Sequence, residues 1–298
     1  MDKMKKLKIG YFADGIWGHN AFNLINSDKN FEIKFITPRF NSKDEILKNF
    51  AYKNNIPYIE SKNINTPEFL EKIEKFDCDL LVSMSFNQIF KKDILSKYKI
   101  INCHAGKLPF YRGRNILNWV LINDEKEFGI TVHFVDEGTD TGDIILQKTY
   151  PITDLDDYNT LLTKAHTECA NVLHEALLKI RNNDYKLIQQ STIHPVGMYC
   201  GVRKFGDEII NWNQTSRELF NFIRAICKPG PMARTTLYDK LFYINRSEII
   251  ENAVSYKGIS GQILHKTEDY FVVKTKDSIL KIVEFYYDDN FKTGDRLC

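Results

Sequence analysis

Ile100-Ile101-Asn102-Cys103-His104-Ala105-Gly106-Lys107-Leu108-Pro109 is a short apolar run that turns polar and then breaks at Gly and Pro. It reads as a buried strand whose carboxyl end carries an amide and an imidazole. Three similar runs precede it: Leu7-Lys8-Ile9-Gly10-Tyr11-Phe12, Phe31-Glu32-Ile33-Lys34-Phe35-Ile36, and Leu80-Leu81-Val82. Between them lie helical patterns around Gly18 to Ile25, Asp44 to Asn54, Thr66 to Lys75 and Lys92 to Tyr98. Strand alternating with helix predicts an α/β fold, Rossmann-like, with a mostly parallel, doubly wound sheet. In such sheets sites collect beyond the carboxyl ends of the strands, which is where Asn102 and His104 fall.

Downstream, Arg114 to Ile122 has a helical pattern. Gly129 to Val135 and Asp143 to Tyr150 read as strands flanking Asp136-Glu137-Gly138-Thr139-Asp140-Thr141-Gly142-Asp143. Asp156 to Ile180 is a long amphipathic helix with Leu161, Ala165, Leu173, Ala176 and Leu177 on one stripe. After about Gln190 the character changes. A helix at Ser216 to Cys227 is stopped by Lys228-Pro229-Gly230-Pro231, and short alternating strands follow at Thr235, Leu241, Gly261, Phe271 and Ile279. The expectation is an α/β domain over residues 1–190 and a small antiparallel β domain, its form that of a sheet or barrel, over residues 200–298.

Composition narrows the function classes. The 298 residues carry a formal charge of only +2, with both signs interleaved, which leaves no electrostatic footprint for a nucleic-acid partner. A basic start, Met1 to Lys8, is followed by an apolar run too short for a signal peptide or a membrane span, so a cytoplasmic protein with no membrane partner is expected. The 6 cysteines show no Cys-x-x-Cys and no Cys/His ligand spacing, so they read as reduced thiols and no metal is expected. The turn after the first strand lacks a Gly-x-Gly-x-x-Gly fingerprint for a dinucleotide.

Asn102 and His104, at i and i+2 of an extended run, leave the same face of their strand. Asp140 lies in a Gly-rich bend that can return its carboxylate to the imidazole. Together the three suit transfer of an acyl group to an amine. A neutral imidazole accepts the amine's proton near pH 7, an amide N–H stabilises the oxyanion, and a carboxylate orients the imidazole. No Ser or Cys is placed for a covalent intermediate, so transfer is read as direct. Cys103, between the pair, points to the opposite face. An Asn-x-His pair taken alone is more often a satisfied core histidine.

Residues 102–119, Asn-Cys-His-Ala-Gly-Lys-Leu-Pro-Phe-Tyr-Arg-Gly-Arg-Asn-Ile-Leu-Asn-Trp, followed by Gly-Ile-Thr-Val-His-Phe-Val-Asp-Glu-Gly-Thr-Asp-Thr-Gly-Asp-Ile-Ile at 129–145, resemble the core of the 10-formyltetrahydrofolate-dependent formyltransferases. The resemblance implies that Asn102, His104 and Asp140 are the catalytic trio. It implies that the co-substrate 10-formyltetrahydrofolate docks its pterin against Met84, Ser85, Phe86, Asn87 and Gln88, and against Val135, Asp136 and Glu137. Glu208-Ile209-Ile210-Asn211-Trp212 and the helix after it resemble the start of the family's small C-terminal domain.

Among family members the pattern is most similar to enzymes that formylate a dTDP-linked amino-dideoxyhexose, such as dTDP-4-amino-4,6-dideoxyglucose, for O-antigen and other surface glycans. A tRNA-binding member is expected to carry a basic second domain. From Ser191 onward there are 15 Lys/Arg against 13 Asp/Glu, a net of +2. On the sugar-nucleotide reading, Asp14, Lys107, Arg112, Arg114 and Arg203 are the candidate substrate contacts, with Tyr199 and Trp212 possible partners for sugar or base. A methionyl-tRNA formyltransferase, a UDP-4-amino-4-deoxy-L-arabinose formyltransferase, a formyltetrahydrofolate hydrolase and a non-catalytic nucleotide-sugar or folate-binding module are the alternatives. The small β domain offers a surface for a homodimer.

Overall fold

The computed structural model describes residues 5–298, so the first four residues of the basic start lie outside the described residues. The first strand, β1 (Leu7–Ala13), is followed by α1 (Gly15–Ser27), β2 (Phe31–Pro38), α2 (Glu45–Lys53) and α3 (Pro67–Glu74). Then come β3 (Leu80–Met84), α4 (Lys92–Lys97) and β4 (Ile100–His104). Local chemistry sets the helix starts. The Asp44 carboxylate accepts from Leu47 N ahead of α2, and Thr66 accepts from Phe69 N ahead of α3, where Pro67 occupies the first turn.

The chain continues with a two-residue strand β5 (Arg112–Gly113), α5 (Ile116–Ile122), β6 (Glu127–Phe134), β7 (Ile144–Pro151), α6 (Tyr158–Arg181), α7 (Gln190–Ile193) and a second two-residue strand β8 (Tyr199–Cys200). The large sheet has the order β2-β1-β3-β4-β6-β7. Its pairings β1–β2, β1–β3 and β3–β4 are parallel and β4–β6 is antiparallel. This is the α/β, mostly parallel sheet read from the sequence. Strands with nearly every residue buried on both faces, such as β3, are what a helix-covered parallel sheet requires. Phe12, Phe35, Phe69, Ile73, Leu81 and Phe90 form one apolar cluster, in which the Phe12 ring meets Phe35 and Phe90 edge-on at 5.6 and 5.2 Å.

Beyond β8 lie α8 (Ser216–Ile226) and strands β9 (Ala233–Leu237), β10 (Lys240–Glu248), β11 (Ile263–Lys266), β12 (Phe271–Lys274) and β13 (Ile279–Tyr286). They form an antiparallel sheet in the order β11-β12-β13-β10-β9. Thr215 and Glu218 close a reciprocal capping box on α8. Phe242, Phe271, Phe285 and Phe291 stack or meet edge-on at the centre of this sheet.

Packing divides the chain into two compact units. The first runs through Gly113 and takes in Phe128–Tyr150 and Thr163–Tyr199; the second comprises Arg114–Glu127, Pro151–Leu162 and Cys200–Cys298. Helix α5 therefore packs with α8, and the Asn118 amide donates to Ala225 O at 2.6 Å. Arg217 bridges Asp124 and Asp154, while the buried Arg224 donates to Thr153 O at 2.7 Å and Asp156 O at 3.1 Å. Among the described residues no helix is long and apolar enough to cross a membrane.

Candidate active site

Parallel register carries the ends of β1, β3 and β4 to one rim, since Ala13 pairs with Met84 and Ser83 with Asn102. Strand alternation then aims Asn102 and His104 to one side. Cys103 faces the other way, its thiol donating to Cys169 O at 3.5 Å. That removes Cys103 from the chemistry.

The structure brings the three residues of the sequence reading together. His104 Nδ1 lies 3.6 Å from Asp140 Oδ2. His104 Nε2 is 2.7 Å from Tyr111 O, and a carbonyl can only accept, so Nε2 carries the ring proton and Nδ1 presents its lone pair. Burial lowers the His104 pKa from its ordinary value; Asp140 and the Tyr111 carbonyl oppose that shift and His133 adds to it. The imidazole is therefore a neutral base near pH 7. Burial works against the Asp140 charge, yet the Gly113 N–H, which donates to Oδ2 at 2.9 Å, and positive charge on His104 or His133 whenever either ring takes a proton hold the carboxyl well below the usual carboxylate range.

A fourth residue, His133 on β6, was not singled out in the sequence. The antiparallel β4–β6 register sets Asn102 opposite His133 and His104 opposite Thr131. His133 Nδ1 is 2.7 Å from Phe134 O, so Nδ1 is protonated and Nε2 is bare. Asn102 Nδ2 donates to that bare nitrogen at 3.3 Å, and Asp140 Oδ1 lies 3.5 Å from it. The signal was present in the chain as two polar residues, Thr131 and His133, at period two in a strand that carries no other polar side chain after Glu127.

His104 Nδ1 thus faces the carboxylate across a 3.6 Å gap that no hydrogen bridges in this tautomer, while the one lone pair of His133 Nε2, 3.5 Å from Oδ1, already takes the Asn102 N–H. An arrangement rich in acceptors is relieved by a ligand that brings N–H donors. An amine has that property; a carboxylate or phosphate does not.

The bend after β4 is braced from below. Thr131 Oγ1 donates to Gly106 O at 2.6 Å, and Gln147 Nε2 donates to Leu108 O at 2.9 Å. A Cβ on Gly106 would stand 2.5 Å from both His104 Nε2 and Tyr111 O, in the middle of the bond that fixes the imidazole. Gly106→Ala is expected to leave the protein folded and to lower kcat about 100-fold by displacing His104. Steady-state kinetics beside circular dichroism checks this, and a variant with near-normal kcat would mean that the ring need not stand where it does.

The two segments that the resemblance gives to a pterin each carry a residue packed on the apolar cluster, Phe86 and Val135. Met84 is buried at the end of β3, and Ser85 has a left-handed backbone with φ 58°. Phe86, half-buried, stands edge-on to Phe12 at 5.3 Å, and Val135 packs on the same apolar cluster. A half-buried aromatic beside exposed Asn87 fits a flat heterocycle with polar edges. Gln88 is engaged elsewhere: its amide donates to Ser61 O at 3.0 Å and accepts from Ile64 N at 3.0 Å. Asp136 accepts from Gly138 N and Thr141 Oγ1, which shapes the bend, and Glu137 is exposed.

The candidate substrate contacts are dispersed. Asp14 occupies the N-cap position of α1 without a side-chain cap bond, takes a hydrogen bond from Ser42 Oγ and has Arg39 Nη1 at 3.6 Å. Lys107 is half-buried in the bend. The Arg112 guanidinium is engaged by Gln190 Oε1 and Val196 O. Arg114 and Arg203 belong to the second unit, as does the buried Trp212, while the exposed Tyr199 belongs to the first. Arg203 donates to Asp207 O and lies over the Trp119 and Phe222 rings at 5.4 and 5.6 Å, where burial lowers its pKa.

Comparison with known proteins accords with this geometry. A family model described as "Formyl transferase" matches residues 33–177, and one described as "Formyl transferase, C-terminal domain" matches residues 204–290. A methionyl-tRNA formyltransferase of Caldanaerobacter subterraneus subsp. tengcongensis is 31% identical over 253 residues, covering 84% of this chain and 80% of that protein. The crystal structure of WlaRD, a sugar 3N-formyl transferase in the presence of dTDP and 5-N-formyl-THF, superposes with a TM-score of 0.68 at 25% identity, covering 95% of this chain and 98% of that one. An N-formyltransferase from Helicobacter canadensis in complex with folinic acid and dTDP-3-aminofucose gives a TM-score of 0.69 at 25% identity, over 94% and 100% of the two chains.

Proposed function

The chain belongs to the formyl transferase family, and from that premise we propose that it moves a formyl group from 10-formyltetrahydrofolate to the amino group of a dTDP-linked amino-dideoxyhexose. The observation that carries the chemistry is the group of acceptor atoms around Asp140, with His104 Nδ1 and His133 Nε2 aimed at its carboxylate. An amine entering between His104 Nδ1 and the Asp140 carboxylate offers an N–H to each. His104 Nδ1 takes a proton as the new carbon–nitrogen bond forms, and Asp140 stabilises the imidazolium. Asn102, whose amide has a second N–H besides the one given to His133, stabilises the oxyanion. The proton is returned to the nitrogen that leaves as the old carbon–nitrogen bond breaks, so the base is regenerated. The folate co-substrate supplies the formyl carbon and that leaving nitrogen, and Met84 to Gln88 with Val135 to Glu137 are the residues we assign to hold it. On this reading residues 1–190 carry catalysis and residues 200–298 form the small C-terminal domain.

For the acceptor, the weak charge of the C-terminal third and the near full-length match to enzymes crystallised with dTDP and dTDP-3-aminofucose favour a sugar nucleotide over tRNA. The product then serves surface-glycan assembly. Those neighbours handle 3-amino sugars, so the 3-amine stands beside the 4-amine as a target. The second reading, a methionyl-tRNA formyltransferase, is favoured by relatives at 31% identity. A coupled assay with 10-formyltetrahydrofolate decides among dTDP-3-amino- and dTDP-4-amino-dideoxyhexoses, UDP-aminoarabinose, methionyl-tRNA and no acceptor. Formylation of one dTDP-amino sugar alone is the expected result. Transfer only to tRNA overturns the substrate assignment, and folate turnover without any acceptor replaces transfer by hydrolysis.

A further inference from the structure

We propose that Gln190, a residue outside the catalytic trio, is a positioning residue that ties the Asp140 bend to Arg112 and so fixes the Asp140 carboxylate against His104. The inference rests on the formyl-transfer reading of that site. Gln190 opens the four-residue helix α7 and is 3% exposed. Its Nε2 donates to Asp140 O and to Gly142 O, each at 2.8 Å. Its Oε1 accepts from Arg112 Nε at 3.1 Å and Nη2 at 2.8 Å. Both N–H groups and the oxygen are thereby used, and the amide has one permitted orientation. Arg112 can only donate and the two carbonyls can only accept.

The strap closes a ring of hydrogen bonds. Arg112 lies between Tyr111, whose carbonyl takes the His104 Nε2 proton, and Gly113, whose N–H holds Asp140 Oδ2. One tripeptide therefore touches the base, the carboxylate and the glutamine. Asp140 and Tyr111 both have left-handed backbones, with φ 54° and 58°, a conformation that a non-glycine residue keeps only when its surroundings impose it. The bonds from Gln190 to the carbonyls of Asp140 and Gly142 supply that restraint on one side of the ring, and the pair with Arg112 supplies it on the other. Arg112 is accordingly engaged in holding the site, which accounts for its guanidinium without a substrate phosphate.

The test compares the wild type with Gln190→Met, of similar length but without hydrogen bonds, and Gln190→Glu, which keeps the Arg112 pair but offers oxygen to two carbonyls. In both, kcat is expected to fall about 10- to 100-fold while KM for each substrate changes less than about threefold. The low-pH limb of kcat is expected to move to lower pH. Asp140 raises the His104 pKa, so a bend that drifts away removes that support, while His133, which lowers it, stays in place on β6. A merely structural glutamine would not move the limb. The proposal is overturned if both variants keep kcat within about threefold, or lose rate with the limb unmoved. Should Gln190→Met fail to fold, Gln190→Glu decides by the same readouts. If the wild type transfers no formyl group, the functional reading fails on its own. The strap is then decided by hydrogen–deuterium exchange over residues 138–143, which is faster in Gln190→Met if the strap exists and unchanged if it does not.

Discussion

His104→Ala loses formyl transfer by on the order of 10³-fold in kcat while folate still binds, as a fluorescence titration would show. On the proposed mechanism the substitution removes the bare Nδ1 that takes the amine's proton, and with it the group that Asp140 stabilises. It also removes the hydrogen bond from Nε2 to Tyr111 O, worth about 0.5–1.5 kcal/mol. Some loss of stability is therefore expected alongside the kinetic effect. His104→Gln separates the two, because an amide can still donate to Tyr111 O but is no base. Stability should largely return and activity should not. Near-normal turnover in His104→Gln would remove the imidazole from the reaction.

Asp140→Asn is expected to lower kcat by on the order of 10³ without unfolding the protein. Asparagine tolerates the left-handed backbone at φ 54°, so the bend keeps its shape. The damage is electrostatic and specific. The Gly113 N–H keeps the amide oxygen at the Oδ2 position, so the NH₂ takes the Oδ1 position facing His133 Nε2, and the negative charge beside His104 is lost. The loss of charge also has a direction. Burial lowers the His104 pKa and Asp140 partly opposes it, so without the carboxylate the imidazole releases its proton at still lower pH. The acid limb of kcat should move down, and a limb that moves up would mean that Asp140 does not act on His104.

Much of this site could be read from the chain, for reasons that differ residue by residue. Asn102 and His104 were legible because alternation along a strand is a strict rule. The Gly-rich bend allowed Asp140 to return to the imidazole, but its partnership with Asn102 and His104 was read from the resemblance of residues 102–119 and 129–145 to a family core. The direction of β6 was not legible, since a period of two is the same in parallel and antiparallel strands, and His133 was overlooked with it. Gln190 was invisible for another reason. A single helical turn has no periodicity, and the meaning of a glutamine lies in partners 50 and 78 residues away. Arg112 was read as a cation for phosphate because a sequence shows a charge but not what already occupies it. The five strands of the C-terminal sheet were legible from alternation and turn residues, whereas the allegiance of α5 was not, because its apolar face does not say which core it completes.

That allegiance bears on how the protein can be cut and recombined. The chain passes from one packing unit to the other five times, at Gly113/Arg114, Glu127/Phe128, Tyr150/Pro151, Leu162/Thr163 and Tyr199/Cys200. A fragment starting at Cys200 would carry α8 without α5 and the segment Pro151–Leu162, leaving Arg224 without the Thr153 and Asp156 carbonyls it serves. Neither unit is a contiguous cassette. Modules for swapping between relatives should therefore be drawn as sets of segments that share a core, and a graft of the C-terminal third alone brings an incomplete interior with it.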